Sequence, residues 1–241
     1  MTSLTFQQLG IPFELFDAPA SAASGYAGKM TCSICQASDV HCFKMGIGTD
    51  LVLPCGHCQT SVPLAVSEKA AAPCPACGGS VLFPETPVEF GCYDCLRAHR
   101  FSLTKGTELG MIRFIDAVGG VTHGIPGLNR SDFEMVVLND GWVGARLPRE
   151  EMMELLRTPD YPTIQDDNWL FCCKRPMTFV GEWSRSDFVN RSWDGNGRAY
   201  FDSVVRDPVV GLWEDRLHDI TGIYVFRCRT CTKHSAHWDL A

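Results

Sequence analysis

Five Cys-x-x-Cys pairs punctuate this chain and constrain its fold more than any other feature: Cys32/Cys35, Cys55/Cys58, Cys74/Cys77, Cys92/Cys95 and Cys228/Cys231. A two-residue gap lets both sulfurs of one tight turn point at a single ion, and Zn2+ favours four such soft thiolates in a tetrahedron. Ten of the thirteen cysteines fall in these pairs. Disulfides are the rival use in a secreted chain. Here the count is odd, and the opening residues MTSLTFQQLGIPFELF lack the charged region, apolar run and cleavage site of a secretory signal. A redox motif is the other rival, but that chemistry calls for one pair beside a helix start rather than five scattered ones. The first four pairs are therefore expected to hold two structural zinc ions. Four thiolates close each shell and leave no open position for a reacting water.

Spacing alone permits more than one pairing. Cys55-x2-Cys58-x15-Cys74-x2-Cys77 has the spacing of a zinc ribbon, which leaves Cys32, Cys35, Cys92 and Cys95 as an outer site closing around it. The nested arrangement is favoured because short strands flanking the inner pairs would make a self-contained ribbon. The sequential pairing also passes, since 19 residues separate Cys35 from Cys55, and a crossed arrangement stays open. Cys228 and Cys231 need two further ligands, with Cys172, Cys173, His234 and His237 as candidates. In a regular strand Cys172 and Cys173 would face opposite sides, so both could bind only if the backbone turns between them. Cys172, Cys173, Cys228 and Cys231 are carried forward as a possible third zinc site, against the plainer reading of a buried thiol. Cys42 follows His41 with no complete ligand set left and reads as core.

Charge narrows the partners. The chain has 241 residues, 21 basic and 28 acidic, for a formal charge of -7. Each four-thiolate zinc site adds -2, so two of them take the effective charge to about -11. A nucleic-acid ligand wants a basic face, which argues against DNA or RNA. No stretch approaches the roughly 18 uninterrupted apolar residues of a membrane span, so a cytoplasmic protein with no membrane partner is expected.

The pattern of elements predicts an α+β fold: a zinc-ribbon N-terminal region followed by a mixed α+β domain with short antiparallel strands. Residues 1–31 read as an N-terminal arm carrying the apolar patch Ile11 to Phe16. Residues 32–102 read as the double-knuckle region, with strands at 60–66 and 79–83. Residues 103–241 form the α+β remainder. There, Leu109, Ile112 and Ile115 predict a helix over 108–118, ended by Gly119-Gly120. A clearer helix spans 147–157: Pro148 suits its first turn, Glu150 and Glu151 complement its positive end, and Pro159 stops it. Residues 177–183 read as a strand, Asp194 to Gly197 as a turn, and 222–228 with 235–240 as a hairpin whose tip carries Cys228 and Cys231.

Two histidines and many aromatics remain. His123 sits in a Gly/Pro loop, Thr122 to Gly127, without an obvious carboxylate or nucleophile beside it, so no catalytic residue is assigned. His57 lies within a knuckle and reads as surface. Trp169, Phe171, Phe179, Trp183, Trp193, Tyr200, Phe201, Trp213, Tyr224, Phe226 and Trp238 are mostly core, with some free to anchor a partner.

Arg157-Thr158-Pro159, Gln165, Trp169-Leu170, Cys172-Cys173, Phe179-Val180-Gly181, the run Tyr224 to Cys228 with Cys231, and Trp238-Asp239 together resemble the CbrC family, named for a protein associated with tolerance to a nuclease colicin. Cys32/Cys35 and Cys92/Cys95 resemble that family's two N-terminal pairs. The inner ribbon then reads as an insertion of roughly 40 residues, judged by spacing. The resemblance implies an immunity or tolerance role, in which a non-enzymatic bacterial protein binds and neutralises a toxin domain. Between Arg149 and Asp219 there are 14 acidic and 9 basic residues, an excess suited to capturing a basic nuclease. The alternatives are a zinc-stabilised adaptor or stress protein binding a cellular partner, and an enzyme using His123 or an open C-terminal zinc site.

Overall fold

The computed structural model describes residues 4–107, 110–124, 133–163, 168–206, 208, 211–216 and 221–240. Within them short antiparallel strands combine with short helices, a mixed α+β architecture. In the N-terminal half, Tyr26–Met30, Val40–Lys44 and Phe90–Cys92 form one three-stranded sheet, with Val40–Lys44 in the middle and Cys42 opposite Cys92. A second sheet places Thr49–Pro54 between Ser61–Ala65 and Phe101–Leu103. Val62 and Leu64 alternate inward along Ser61–Ala65, as a period-two pattern requires, and meet Val81 in a small core of their own beside Cys55 and Cys74. The strands expected at 60–66 and 79–83 are thus Ser61–Ala65 and the two-residue Ser80–Val81, which pairs with Ala72–Pro73.

The C-terminal sheet runs Thr178–Glu182, Thr221–Arg227, His234–Leu240. Its central strand is buried along Gly222 to Phe226, because both of its faces are covered. Tyr224 and Phe226 join the main core with Tyr161, Trp169 and Phe179; Ile223 and Val225 point the other way, against Trp183, Phe188 and Phe201. The helices Arg185–Arg191 and Gly197–Val204 supply that second layer.

Residues Phe6, Phe13, Leu15 and Phe16 are buried in the main core. The segment holding them lies along the edge of the C-terminal sheet. The Phe179 amide donates to Leu15 O and the Asp17 amide to Phe179 O, both at 2.8 Å, in a parallel bridge. This covers backbone groups that an open edge would expose. One core cluster runs from Phe6 to Cys228, joining residues from all three stretches of sequence.

The helix expected over 108–118 is shorter and starts later. Glu108 and Leu109 lie outside the described residues. Gly110–Ile112 pairs antiparallel with Lys105–Thr107, and the helix is Phe114–Gly119. Gly110 has φ +139°, and a Cβ there would sit 2.4 Å from His123 O, so the backbone needs glycine and breaks the helical pattern. Gly120, left-handed at φ 74°, ends the helix as expected. The helix expected at 147–157 is Arg149–Leu156, with Glu150 and Glu151 in its first turn and Met152, Leu155 and Leu156 buried.

Candidate metal centres

Three groups of four cysteines come together: Cys32, Cys35, Cys92 and Cys95; Cys55, Cys58, Cys74 and Cys77; Cys172, Cys173, Cys228 and Cys231. In each, all four sulfurs lie within 4.8 Å of one another. The N-terminal pairing is therefore nested, and His234 and His237 are not in the third group. Their ring nitrogens meet tyrosine hydroxyls instead, His234 Nδ1 with Tyr200 at 2.9 Å and His237 Nε2 with Tyr161 at 2.7 Å. Cys42 is buried outside all three groups.

One local structure explains four of the five pairs. Gln36, Gln59, Gly78 and Thr232, each directly after the second cysteine of a pair, have φ between 61° and 73°. Their amides donate back to the carbonyls of Cys32, Cys55, Cys74 and Cys228, at 2.8–3.2 Å. The amides of those first cysteines donate in turn to Ala37, Thr60, Gly79 and Lys233, at 2.7–2.9 Å. This closed turn turns both thiols to one side. Three of the four left-handed positions carry non-glycine residues, which disfavour that conformation. The paired backbone hydrogen bonds offset that cost, and anything the sulfurs bind would add to them. The fifth pair differs: Cys92 caps the helix Tyr93–Arg97 and Cys95 lies within it.

The same device settles Cys172 and Cys173. Phe171–Cys172 and Arg175–Pro176 form a minimal hairpin whose two-residue loop, Cys173-Lys174, has φ 53° and 63°. Both central residues at positive φ make the tight reversal that the twist of a hairpin favours. The reversal turns Cys173 back to Cys172, 3.8 Å between sulfurs, and Cys172 lies 3.7 Å from Cys231.

These distances test the fit of an ion. A tetrahedron with metal–sulfur bonds of about 2.3 Å has sulfur–sulfur edges of about 3.8 Å. Observed separations are 3.8 and 3.7 Å in the outer group and 3.5 Å for both contacts in the inner one. Disulfides are far shorter, about 2.05 Å. Spacing and ligand chemistry fit a tetrahedral ion in each group.

Electrostatics make the same case. Burial opposes ionisation of Cys32, but amides of Cys35, Cys92 and Ile34 donate to its sulfur and bring the thiol down to about 7. The Thr60 hydroxyl, 3.3 Å from Cys58, leads in holding that thiol down to about 6. Cys228 is likewise buried yet drawn to about 7 by amides of Cys231 and Thr230, at 3.4 and 3.3 Å. The neighbours go the other way. Burial, with the adjoining sulfurs of Cys32 and Cys35, pushes Cys92 up to about 11. The Gly79 amide works to lower Cys77, but Cys58 and Cys55 drive it up to about 12. Burial, then Cys228 and Cys231, raises Cys172. Four sulfurs this close cannot all ionise unaided; a divalent cation at their centre reverses the balance.

Exposure separates the sites. Cys32, Cys92 and Cys95 are buried, whereas Cys58, Cys77, Cys173 and Cys231 are exposed. His57 is exposed, as expected. His123 has a partner the sequence did not reveal: its Nε2 lies 2.9 Å from Asp140, and its ring lies tilted against Trp142, centroids 4.9 Å apart. Residues 125–132, which follow it, lie outside the described residues, as does Gln165. The sequence also gave no sign of Lys105. Its fully buried ammonium donates to Thr158 O at 2.7 Å and pairs with Asp160, with the Trp169 ring centroid 5.2 Å away.

The chain is thus a cysteine-clustered α+β protein with three groups able to hold metal ions. Residues 124–240 match the sequence model of an uncharacterised protein family, UPF0167. That match contains the C-terminal cysteine group and neither N-terminal one. No curated protein and no solved structure matches the chain. Among the described residues no helix is long and apolar enough to cross a membrane.

Proposed function

We propose that this is a non-enzymatic, zinc-stabilised cytoplasmic protein of the immunity or tolerance type, which binds and neutralises a nuclease-type bacterial toxin domain. The observation that carries the reading is the match of residues 124–240 to UPF0167, the family that includes CbrC. Cys32/Cys35 and Cys92/Cys95 belong to the same pattern in this proposal, with the inner ribbon as an insertion. Zinc is the ion because four thiolates at tetrahedral spacing suit it, and a shell closed by four protein ligands serves structure rather than catalysis. The acidic excess between Arg149 and Asp219 supports capture of a basic nuclease surface, and steering by charge speeds association more than it adds affinity. Trp193, 96% exposed, is available as an anchor on that stretch.

The test is co-expression with a nuclease toxin domain encoded beside the gene. The expected result is cell survival, and a purified complex whose association rate falls as salt rises. Absence of both protection and complex sinks the toxin reading. A second reading, an adaptor for a cellular partner, is favoured by an apolar face outside the acidic stretch, where the cross-strand pair Val137 and Val143 is 76% and 37% exposed. A pull-down dominated by housekeeping proteins would support it. The His123–Asp140 contact alone favours an enzyme, and a His123→Ala variant that alters no phenotype removes that option.

A further inference from the structure

Two carboxylates of one helix reach two different cysteine groups. Glu151 and Glu154 are three residues apart on Arg149–Leu156, so they share a side of the helix. Glu151, whose side chain is 11% exposed, accepts from Arg175 Nε at 2.5 Å and Arg229 Nη1 at 2.9 Å. Arg175 follows Cys173 by two residues, and Arg229 lies between Cys228 and Cys231. The second nitrogen of Arg229 donates to Glu14 at 2.6 Å. At the other end Glu154, 6% exposed, accepts from Arg97 at 2.7 Å and Arg157 at 2.8 Å. Arg97 follows Cys95 by two residues, and Arg157 also reaches Arg97 O at 3.4 Å.

Arg97 is carried by the same short helix as Cys95, and Arg175 and Arg229 flank cysteines of the C-terminal four-thiolate group. Such a group carries -2 when it holds a divalent ion, and guanidinium charge held near it offsets that. Arginine is a flexible side chain, and a largely buried carboxylate that accepts from it restricts where its charge sits. In the C-terminal group Arg175 also closes the hairpin whose loop, Cys173-Lys174, is left-handed at two non-glycine residues.

We propose that Glu151 and Glu154 are positioning residues that couple metal occupancy of the C-terminal cysteine group to that of the outer group, Cys32, Cys35, Cys92 and Cys95. The proposal rests on the reading that these groups hold metal. An ion in the C-terminal group fixes Arg175 and Arg229, these fix Glu151 and the helix, and the helix presents Glu154 to Arg97, on the short helix that carries Cys95. The inner ribbon lies off this route, since no such contact joins the helix to Cys55, Cys58, Cys74 or Cys77 among the described residues, and it serves as an internal control.

The experiment uses full-length protein loaded with cadmium, with one NMR resonance for each group assigned through Cys→Ser variants. Chelator-driven loss of each resonance is then followed. Glu151→Gln keeps size and removes charge; the C-terminal ion is expected to leave up to about 10-fold faster, at or below the low end of the effect of losing a group that bonds a ligand directly. The outer ion should leave severalfold faster, while the inner ribbon's rate stays put. The double variant Cys173→Ser/Cys231→Ser, which empties the C-terminal group, should accelerate outer-site loss to the same degree. Glu151→Asp should recover part of the wild-type rate. An outer-site rate unchanged in both Glu151→Gln and the double variant overturns the coupling, and equal acceleration at all three groups shows general destabilisation instead. Wild-type protein that takes up no cadmium sinks both this proposal and the metal reading.

Discussion

Lys105 and Asp160 form an asymmetric buried pair, and removing either partner should not be equivalent. The Lys105 side chain is 0% exposed and that of Asp160 28%. In Asp160→Ala the ammonium stays sealed inside with one carbonyl, Thr158 O, and the face of Trp169. Leaving a buried charge without its counter-ion costs about 3–5 kcal/mol. In Lys105→Met the apolar stem is retained, and the remaining carboxylate is exposed enough to be hydrated. That change should cost about 1–2 kcal/mol, the range for one imperfectly satisfied group. The double variant removes the stranded charge and should lie within about 1 kcal/mol of Lys105→Met alone. Urea denaturation in zinc-saturated buffer measures all three. For a chain of this length, about 2–4 °C of melting temperature accompanies each kcal/mol, so Asp160→Ala should melt roughly 6–20 °C lower. A Lys105→Met variant as damaged as Asp160→Ala would refute the reasoning.

Other consequences follow from single positions. A Cβ on Gly91 would meet three Phe101 ring atoms at 2.3–2.8 Å in a fully buried site; Gly91→Ala should cost about 1–3 kcal/mol by overpacking, read in the same urea titration. Burial holds His237 near 4, below its ordinary 6.5. Between those values the unfolded chain binds the proton that the folded chain refuses, so stability is lost as pH falls through that window, by at most about 3 kcal/mol. His237→Gln should flatten the pH–stability curve between pH 6.5 and 4 relative to wild type, and an unchanged slope would rule that contribution out. Burial, with Cys32, Cys92 and Cys35 nearby, pushes the Cys42 thiol up to about 11; Cys42→Ala should leave metal content unchanged by mass spectrometry.

How far the sequence could be read depended on the reach of each interaction. The N-terminal sites were legible because a two-residue gap between cysteines is a local geometric instruction; spacing favoured nesting but left the sequential and crossed pairings open until the sulfurs were seen in their groups. The strands 61–65, 178–182 and 221–227 were legible from short apolar runs. The C-terminal group was only half legible: its closure depends on a left-handed Cys173-Lys174 loop, for which neither residue type is a signal. The helix expected over 108–118 begins only at Phe114 because a period of three or four cannot show that Gly110 must pass close to His123. Nothing local announced that Phe179 would bond the backbone at Leu15 and Asp17. The carboxylate–arginine ties were equally hidden, since Glu151 and Arg229 stand 78 residues apart.

Metal stoichiometry tests the central claim most directly. Native mass spectrometry of full-length protein purified with zinc, alongside the cobalt-substituted form, reads the number of ions and the thiolate-to-metal absorption of each. Three ions per chain are expected, all in four-sulfur shells, with one lost for each of Cys32→Ser/Cys95→Ser, Cys55→Ser/Cys77→Ser and Cys173→Ser/Cys231→Ser. Fewer than three ions in wild-type protein, or a shell that includes nitrogen or oxygen ligands, would contradict it.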